Sequence, residues 1–350
     1  MNGAQLSGTA RLAAIEATVV VLTGPRELHF RRESLDPANL APSEVLCETL
    51  LTVISPGTEL AAYIGLPPLR VGAAYPRLQG YCNVARVLAV GAGVNSAAPG
   101  DRVLTFSSHR SHFIIDSGAL LVTLPPVAKS DEAACAYLYH LGYNAVLRSA
   151  VRAGSNVLVV GLGVLGLTSV AMAALAGADV FGISDHVHAQ QLGMKFGAVQ
   201  VFARHSMPDL RSALDAELAD VVICTTNAWS DWALALEFAG QRGTIAVLGF
   251  PGRSEDAGSF NPLDSRSFYA KQLRIEAVGH SPQLSDSRGF ARFNERANLR
   301  YLVDQMVRGR LEPSSLISDR YPGVQIEQAY EDLLARKNSP VTYVLQWNRE

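Results

Sequence analysis

Two hydrophobic rhythms divide the chain. As far as about Leu124 the apolar residues come in short β-branched runs broken by Gly and Pro, at residues 17–22, 45–50, 83–90 and 102–106. Runs of this length between turn residues predict an antiparallel, barrel-like β domain. Near Ser130 the texture changes: Asp131-Glu132-Ala133-Ala134 opens an Ala-rich helix, with acids in the first turn where the helix dipole favours them. From residue 156 strands and helices alternate. The unbroken apolar run 156–160 reads as a buried parallel strand, a helix over 167–176 follows it, and further strands fall at 179–183, 220–224 and 243–248. A helix at 299–308 and a strand at 341–345 close the chain, and that last strand is expected to return to the first domain.

Between the strand at 156–160 and its helix lies Gly161-Leu162-Gly163-Val164-Leu165-Gly166. Gly161 permits the sharp turn, Gly163 lets backbone approach a pyrophosphate, and Gly166 lets the helix pack closely on the sheet. The free N–H groups at Val164 and Leu165, with the positive end of the helix dipole, suit phosphate. The prediction is a nicotinamide dinucleotide site. An acidic residue ending the next strand would accept bonds from the adenosine ribose; Ser184 or Asp185 takes that position, depending on the length of the preceding turn. No Lys or Arg lies between Ser184 and Gln191, although His186 and His188 stand there, so NAD is favoured over NADP. Thr225, Thr226, Gly249 and Phe250 end later strands and should border the cofactor.

Composition narrows the class. With 350 residues, 48% of them hydrophobic, the chain can bury two cores. Its 30 Lys and Arg against 32 Asp and Glu leave a net charge of −2 without a basic stripe, which argues against nucleic acid and for a small-molecule substrate. Cys47, Cys82, Cys135 and Cys224 are scattered, as buried thiols in a reducing cytoplasm would be. No apolar run reaches the ~18 residues of a membrane span, and no basic start marks a signal peptide. The first dozen residues read as a loose lead-in.

Gly80 and its following strand, Pro99-Gly100-Asp101-Arg102-Val103, Leu124-Pro125, Leu141-Gly142-Tyr143-Asn144, the glycine turn and Leu192-Gly193-Met194-Lys195-Phe196-Gly197-Ala198 together resemble the medium-chain dehydrogenase/reductase superfamily. The resemblance implies an α/β, two-domain architecture. A split GroES-like β-barrel catalytic domain, residues 1–141 and 283–350, would surround a Rossmann domain with a doubly wound parallel sheet at 142–282. It also implies a homodimer, formed through the last nucleotide-domain strand at 273–278.

The departures from the family concern the metal. Where zinc-dependent members carry ligands, this chain has Pro56, Tyr81 and Tyr137, and the four-cysteine lobe is missing because Phe106 runs almost directly into His112. Zinc wants about three Cys, His or carboxylate ligands, so no zinc is expected. His109 and His112, three apart, lack an evident acidic or thiol partner and read as loop or strand histidines. Without a Lewis acid the substrate oxygen needs hydrogen-bond donors. The resemblance puts Tyr81 and Tyr137 at the vacated metal position and Thr58 at the proton-relaying hydroxyl; the bland alternatives are space-filling tyrosines and a helix-capping threonine. His140, one turn from Tyr137, is a general acid–base candidate or a satisfied helix histidine. His280 is a substrate-side candidate. The segment 54–59 is similar to a zinc-less branch that includes the bacteriochlorophyllide side-chain dehydrogenases. Alcohol–ketone interconversion on a biosynthetic metabolite is therefore favoured over two alternatives, reduction of an enone or quinone C=C bond and a non-catalytic nucleotide-binding relative.

Overall fold

The computed structural model describes residues 13–67, 74–215, 217–279, 290–336 and 339–348; the sequence-read lead-in and His280 lie outside the described residues. Residues 156 to 277 build a six-stranded sheet whose neighbouring strands are all parallel. Asn156–Val160 lies inside it, flanked by Asp179–Ile183 on one side and Ala219–Cys224 on the other. Gln200–Phe202 closes one edge and Arg274–Ala277 the other. Val157 to Val160 are fully buried because helices cover both faces, which is why their run has no polar alternation.

The first half is antiparallel, as its short strands predict. Glu44–Val53 pairs with Cys82–Val90 and with His112–Asp116, and Cys82–Val90 continues to Arg102–Thr105. A smaller sheet, Ile15–Gly24 with Glu27–Leu35 and Arg77–Leu78, is tied on through Val20 N–H to the His109 carbonyl (3.0 Å) and Ser111 N–H to the Thr18 carbonyl (2.9 Å). The C-terminal strand Thr342–Gln346 pairs antiparallel with Glu44–Val53, so it does return to the first half of the chain. It brings Ile317–Pro322 along as a parallel neighbour. Neither Glu27–Leu35 nor Ile317–Pro322 stands out in the sequence. Both are mostly exposed and carry charges where an inner strand carries Val or Ile.

The Ala-rich helix is two helices. Ser130–Ala134, with Asp131 and Glu132 in its first turn, breaks at Cys135, and Ala136–Arg148 then runs into the core. One apolar cluster continues from Leu50, Val53 and Val84 through Leu138 and Ala145 to Val157 and Leu167, so this helix joins both halves. It packs on the glycine-turn helix Val164–Leu175, and Gly142 sets the separation: a Cβ there would lie 2.6 Å from the Thr168 carbonyl carbon. All four cysteines are free and buried.

Gly142→Ala should force these helices apart and cost about 1–3 kcal/mol by overpacking. Thermal unfolding checks this, and a melting temperature equal to that of the parent would show that the contact can relax.

Candidate active site

The glycine turn has the geometry its residues forecast. Gly161 has φ +90°, and a Cβ on it would meet the Thr226 methyl at 2.3 Å. A Cβ on Gly166 would sit 1.8 Å from the Gly161 carbonyl oxygen. Gly163 is exposed with nothing within 4 Å of its Cβ direction, and as the residue heading the helix it has no side chain to cap the first N–H groups. Open space in front of uncapped donors at Val164 and Leu165 fits a pyrophosphate. The Thr225 hydroxyl donates to the Val160 and Gly161 carbonyls, 3.0 and 2.9 Å, and braces the turn. Gly249 brings its strand end against the Thr226 carbonyl, and the Phe250 N–H donates to Asn227 Oδ1 at 2.8 Å.

At the ribose end Ser184 is buried and directly follows its strand, while Asp185 points outward into an ion pair that the sequence did not reveal. Arg204 bonds Asp185 at 2.6 Å and also Asp231 at 2.9 Å. Burial works against the Arg204 charge, yet the two carboxyl groups hold its pKa above the ordinary value. The Arg204 backbone N–H and guanidinium in turn hold Asp185 below the usual carboxyl range.

Between the two halves lies a cleft of about 270 Å³ whose walls include Thr58, Tyr81, Tyr137, Leu165, Phe250 and Val278. It therefore joins the relay candidates to the residue just past the glycine turn. Tyr81 and Tyr137 meet edge to face at 5.3 Å, and Phe106 packs likewise on Tyr137 at 4.8 Å. His140 is fully buried behind Tyr137, ring centroids 5.5 Å apart, and does not reach the cleft wall, so the helical spacing put it on the correct side but one layer too deep.

The Tyr81 hydroxyl donates to Ser55 Oγ at 2.5 Å. Burial raises its pKa above the ordinary phenol value, with Cys82 and Glu59 adding to this, while its hydrogen bonds with the Ser55 and Thr58 side chains act in the opposite sense. Tyr81 therefore keeps its proton at physiological pH. Thr58 is not a helix cap. Ser55 occupies that position for Pro56–Tyr63, and Thr58 sits inside the first turn facing the cleft.

Beneath this hydroxyl group lies a buried polar cluster that the sequence reading missed. Glu59, 1% exposed, accepts from Ser55 N–H (2.7 Å), the Tyr330 hydroxyl (2.6 Å) and His109 Nε2 (2.7 Å). His109 Nδ1 lies 2.8 Å from Thr52 Oγ1, which also accepts from Trp347 Nε1 at 3.1 Å. His109 thus does have an acidic partner, fifty residues away in sequence. Gly80, at φ +85°, leaves room for it: a Cβ there would lie 2.6 Å from the imidazole. His112 lies apart, 4.0 Å from Glu48, with its pKa lowered by burial against the pull of that carboxyl.

Sequence and structure comparisons bear on what this cleft is. Residues 164–286 match a sequence family described as zinc-binding dehydrogenase. Phthioceranic/hydroxyphthioceranic acid synthase of Mycobacterium tuberculosis is 28% identical over 215 residues, which is 58% of this chain and 10% of that relative's length. L-idonate 5-dehydrogenase of Escherichia coli K-12 superposes with a TM-score of 0.79 at 16% identity, over 95% of this chain and 99% of its own. A zinc-binding dehydrogenase of Sinorhizobium meliloti 1021, bound to NADP, does so with 0.77 at 18% identity, over 95% and 99%. The chain has the fold of these two-domain dehydrogenases. Among the described residues that line the cleft, no donor set fits a catalytic zinc. Pro56, Tyr81 and Tyr137, which the resemblance sets at the ligand positions, are not metal-ligand residue types, and no group of three His, Cys, Asp or Glu among the described residues could hold a metal. Burial, with Glu59 contributing, pushes the Cys82 thiol well above its ordinary value, so it keeps its proton.

Glu59→Ala leaves His109 and Tyr330 buried without their shared acceptor and should cost about 3 kcal/mol of stability. Urea unfolding measures this; a change below about 1 kcal/mol would mean that water replaces the carboxyl.

Proposed function

We propose that this chain is a medium-chain dehydrogenase/reductase, an NAD-dependent oxidoreductase that interconverts a small ketone or aldehyde and its alcohol without a metal. The observation that carries the reading is the Tyr81 hydroxyl, bonded to Ser55 and Thr58 on the wall of the cleft that ends at Leu165. A neutral phenol in a partly desolvated site polarises a carbonyl by donating a hydrogen bond, and it can follow with its proton as negative charge grows on that oxygen.

The residues divide the work. Gly161, Gly163, Val164 and Leu165 would hold the pyrophosphate, and Leu165, Leu248 and Val278 form the apolar wall against which the nicotinamide would rest. When bound, that ring exchanges a hydride with the substrate carbon. Tyr81 would turn its O–H from Ser55 Oγ to the substrate oxygen and supply the proton, while the Thr58 and Ser55 hydroxyls turn to donate to the phenol oxygen and restore its proton. Tyr137, packed edge to face, keeps the Tyr81 ring in place and narrows the cleft. Arg204 between Asp185 and Asp231 leaves one negative charge uncompensated near the ribose end, which favours NAD by repelling a 2′-phosphate.

The sign of the pH dependence follows from Tyr81. Its pKa lies above the ordinary value of 10.0, so the protonated form that reduction requires persists through neutral and mildly alkaline pH. With NADH and a carbonyl panel, kcat for reduction should stay flat from about pH 7 to about pH 9. Tyr81→Phe should lower it by about 100-fold with NADH affinity unchanged. Activity should survive chelator and be at least tenfold weaker with NADPH, about 1.4 kcal/mol. Loss of activity on chelation, or an unchanged kcat in Tyr81→Phe, would remove the tyrosine mechanism; a product saturated at C=C with its carbonyl intact would make the protein an enone reductase.

The strand Arg274–Ala277 is an open edge of the parallel sheet, and a second copy would cover it. Light scattering should report a homodimer; a monomer at micromolar concentration would exclude this pairing.

A further inference from the structure

Two arginines line the cleft that holds Thr58, Tyr81 and Tyr137, and no Asp or Glu among the described residues lines it with them. Arg77 comes from the barrel side, on the short strand Arg77–Leu78 paired to Val21 and Leu22. Its Nε is buried and has no hydrogen-bond partner among the described residues, and no carboxyl group forms an ion pair with it there. Arg253 comes from the nucleotide side, with its guanidinium 4.0 Å from the Phe250 ring centroid and Nη1 within 3.5 Å of the Gly57 carbonyl. Burial lowers its pKa without abolishing its charge.

An arginine with a buried nitrogen and no partner is costly unless something completes it, because a desolvated N–H that makes no bond loses its water without recompense. Arg204, by contrast, meets the carboxyl groups of Asp185 and Asp231. The cleft thus has positive charge on both walls beside a proton donor. A guanidinium fork matches the two oxygens of a carboxylate or phosphate.

We infer that the substrate carries an anionic group, a carboxylate or a phosphate, bound by Arg77 while its carbonyl faces Tyr81, with Arg253 closing the opposite wall. This rests on the dehydrogenase reading of the cleft. It goes further by naming the class of compound and the residue that selects it. Arg77 acts in binding and orientation and transfers no proton. The dinucleotide phosphates have their own cradle at Gly163, so Arg77 is assigned to the substrate.

The test compares matched probes on the intact enzyme with NADH: levulinate against methyl levulinate, and dihydroxyacetone phosphate against dihydroxyacetone. Calorimetric titration of the enzyme–NADH complex and initial rates are both read. The anionic member of at least one pair should bind at least tenfold more tightly, and which pair responds separates carboxylate from phosphate recognition. Arg77→Met should abolish that preference, weakening the anion by about 10- to 100-fold with little change for the neutral partner or for NADH. Arg77→Lys, which keeps the charge but not the fork, should recover part of it and guards against a misfolded Met variant.

If Arg77→Met weakens NADH instead, the arginine serves the cofactor and the inference falls. It falls equally if neutral probes bind as well as anionic ones or if neither anion binds. Anion binding that depends on Arg77, with no carbonyl reduced, would leave the anion site standing and overturn the function proposed above.

Discussion

The active-site half of the molecule depends on keeping one carboxyl group away from water. Glu59 is buried, and three donors converge on it: the neighbouring Ser55 backbone and, from distant parts of the chain, the His109 imidazole and the Tyr330 hydroxyl. A buried carboxyl without such partners would cost several kcal/mol, so each donor has to arrive at its place. Tyr330 belongs to the helix Ile326–Leu334 and Trp347 follows the last strand. The C-terminal return of the chain is thereby tied to the first turn of the helix that carries Thr58. The same Ser55 whose N–H is held by Glu59 receives the Tyr81 hydroxyl, so the order of the cleft wall derives from the cluster beneath it.

The second constraint is closeness of backbone. Gly166 against the Gly161 carbonyl and Gly142 against the Thr168 backbone leave no space for a methyl group. These contacts press the glycine-turn helix onto the sheet and the Ala136–Arg148 helix onto the glycine-turn helix. Tyr137 stands at the start of that helix, and Asn144, further along, donates to the Gly279 carbonyl at 3.0 Å, next to the cleft residue Val278. The glycine turn and the wall that carries Tyr81 and Tyr137 are thus set against each other by two glycines.

Legibility in the sequence followed the range of the interaction. The parallel strands, the glycine turn and the position of Tyr81 and Tyr137 were readable because each depends on neighbours within a few residues or on a resemblance carried by short motifs. His140 was placed on the helix face of Tyr137, as i, i+3 spacing requires, but spacing holds no information on depth, and its ring lies behind the wall. The bonds of Thr225 to the Val160 and Gly161 carbonyls were not legible, since a hydroxyl at a strand end meets whichever carbonyl the fold brings nearest. Arg204 lies nineteen positions from Asp185, beyond the window in which a charge partner was sought.

By itself the sequence determined the dinucleotide turn, the alternation that makes a parallel sheet and the absence of ligand-type residues at Pro56, Tyr81 and Tyr137, since all three are properties of residue type at a fixed position. Only the tertiary structure decided that His109 answers Glu59, that Tyr81 rests on Ser55 and Thr58, and that Arg77 faces Arg253 across one cleft. Each of those pairings joins side chains from separate strands, loops or helices. Their strength comes from shared exclusion of water, which no single segment of chain can provide.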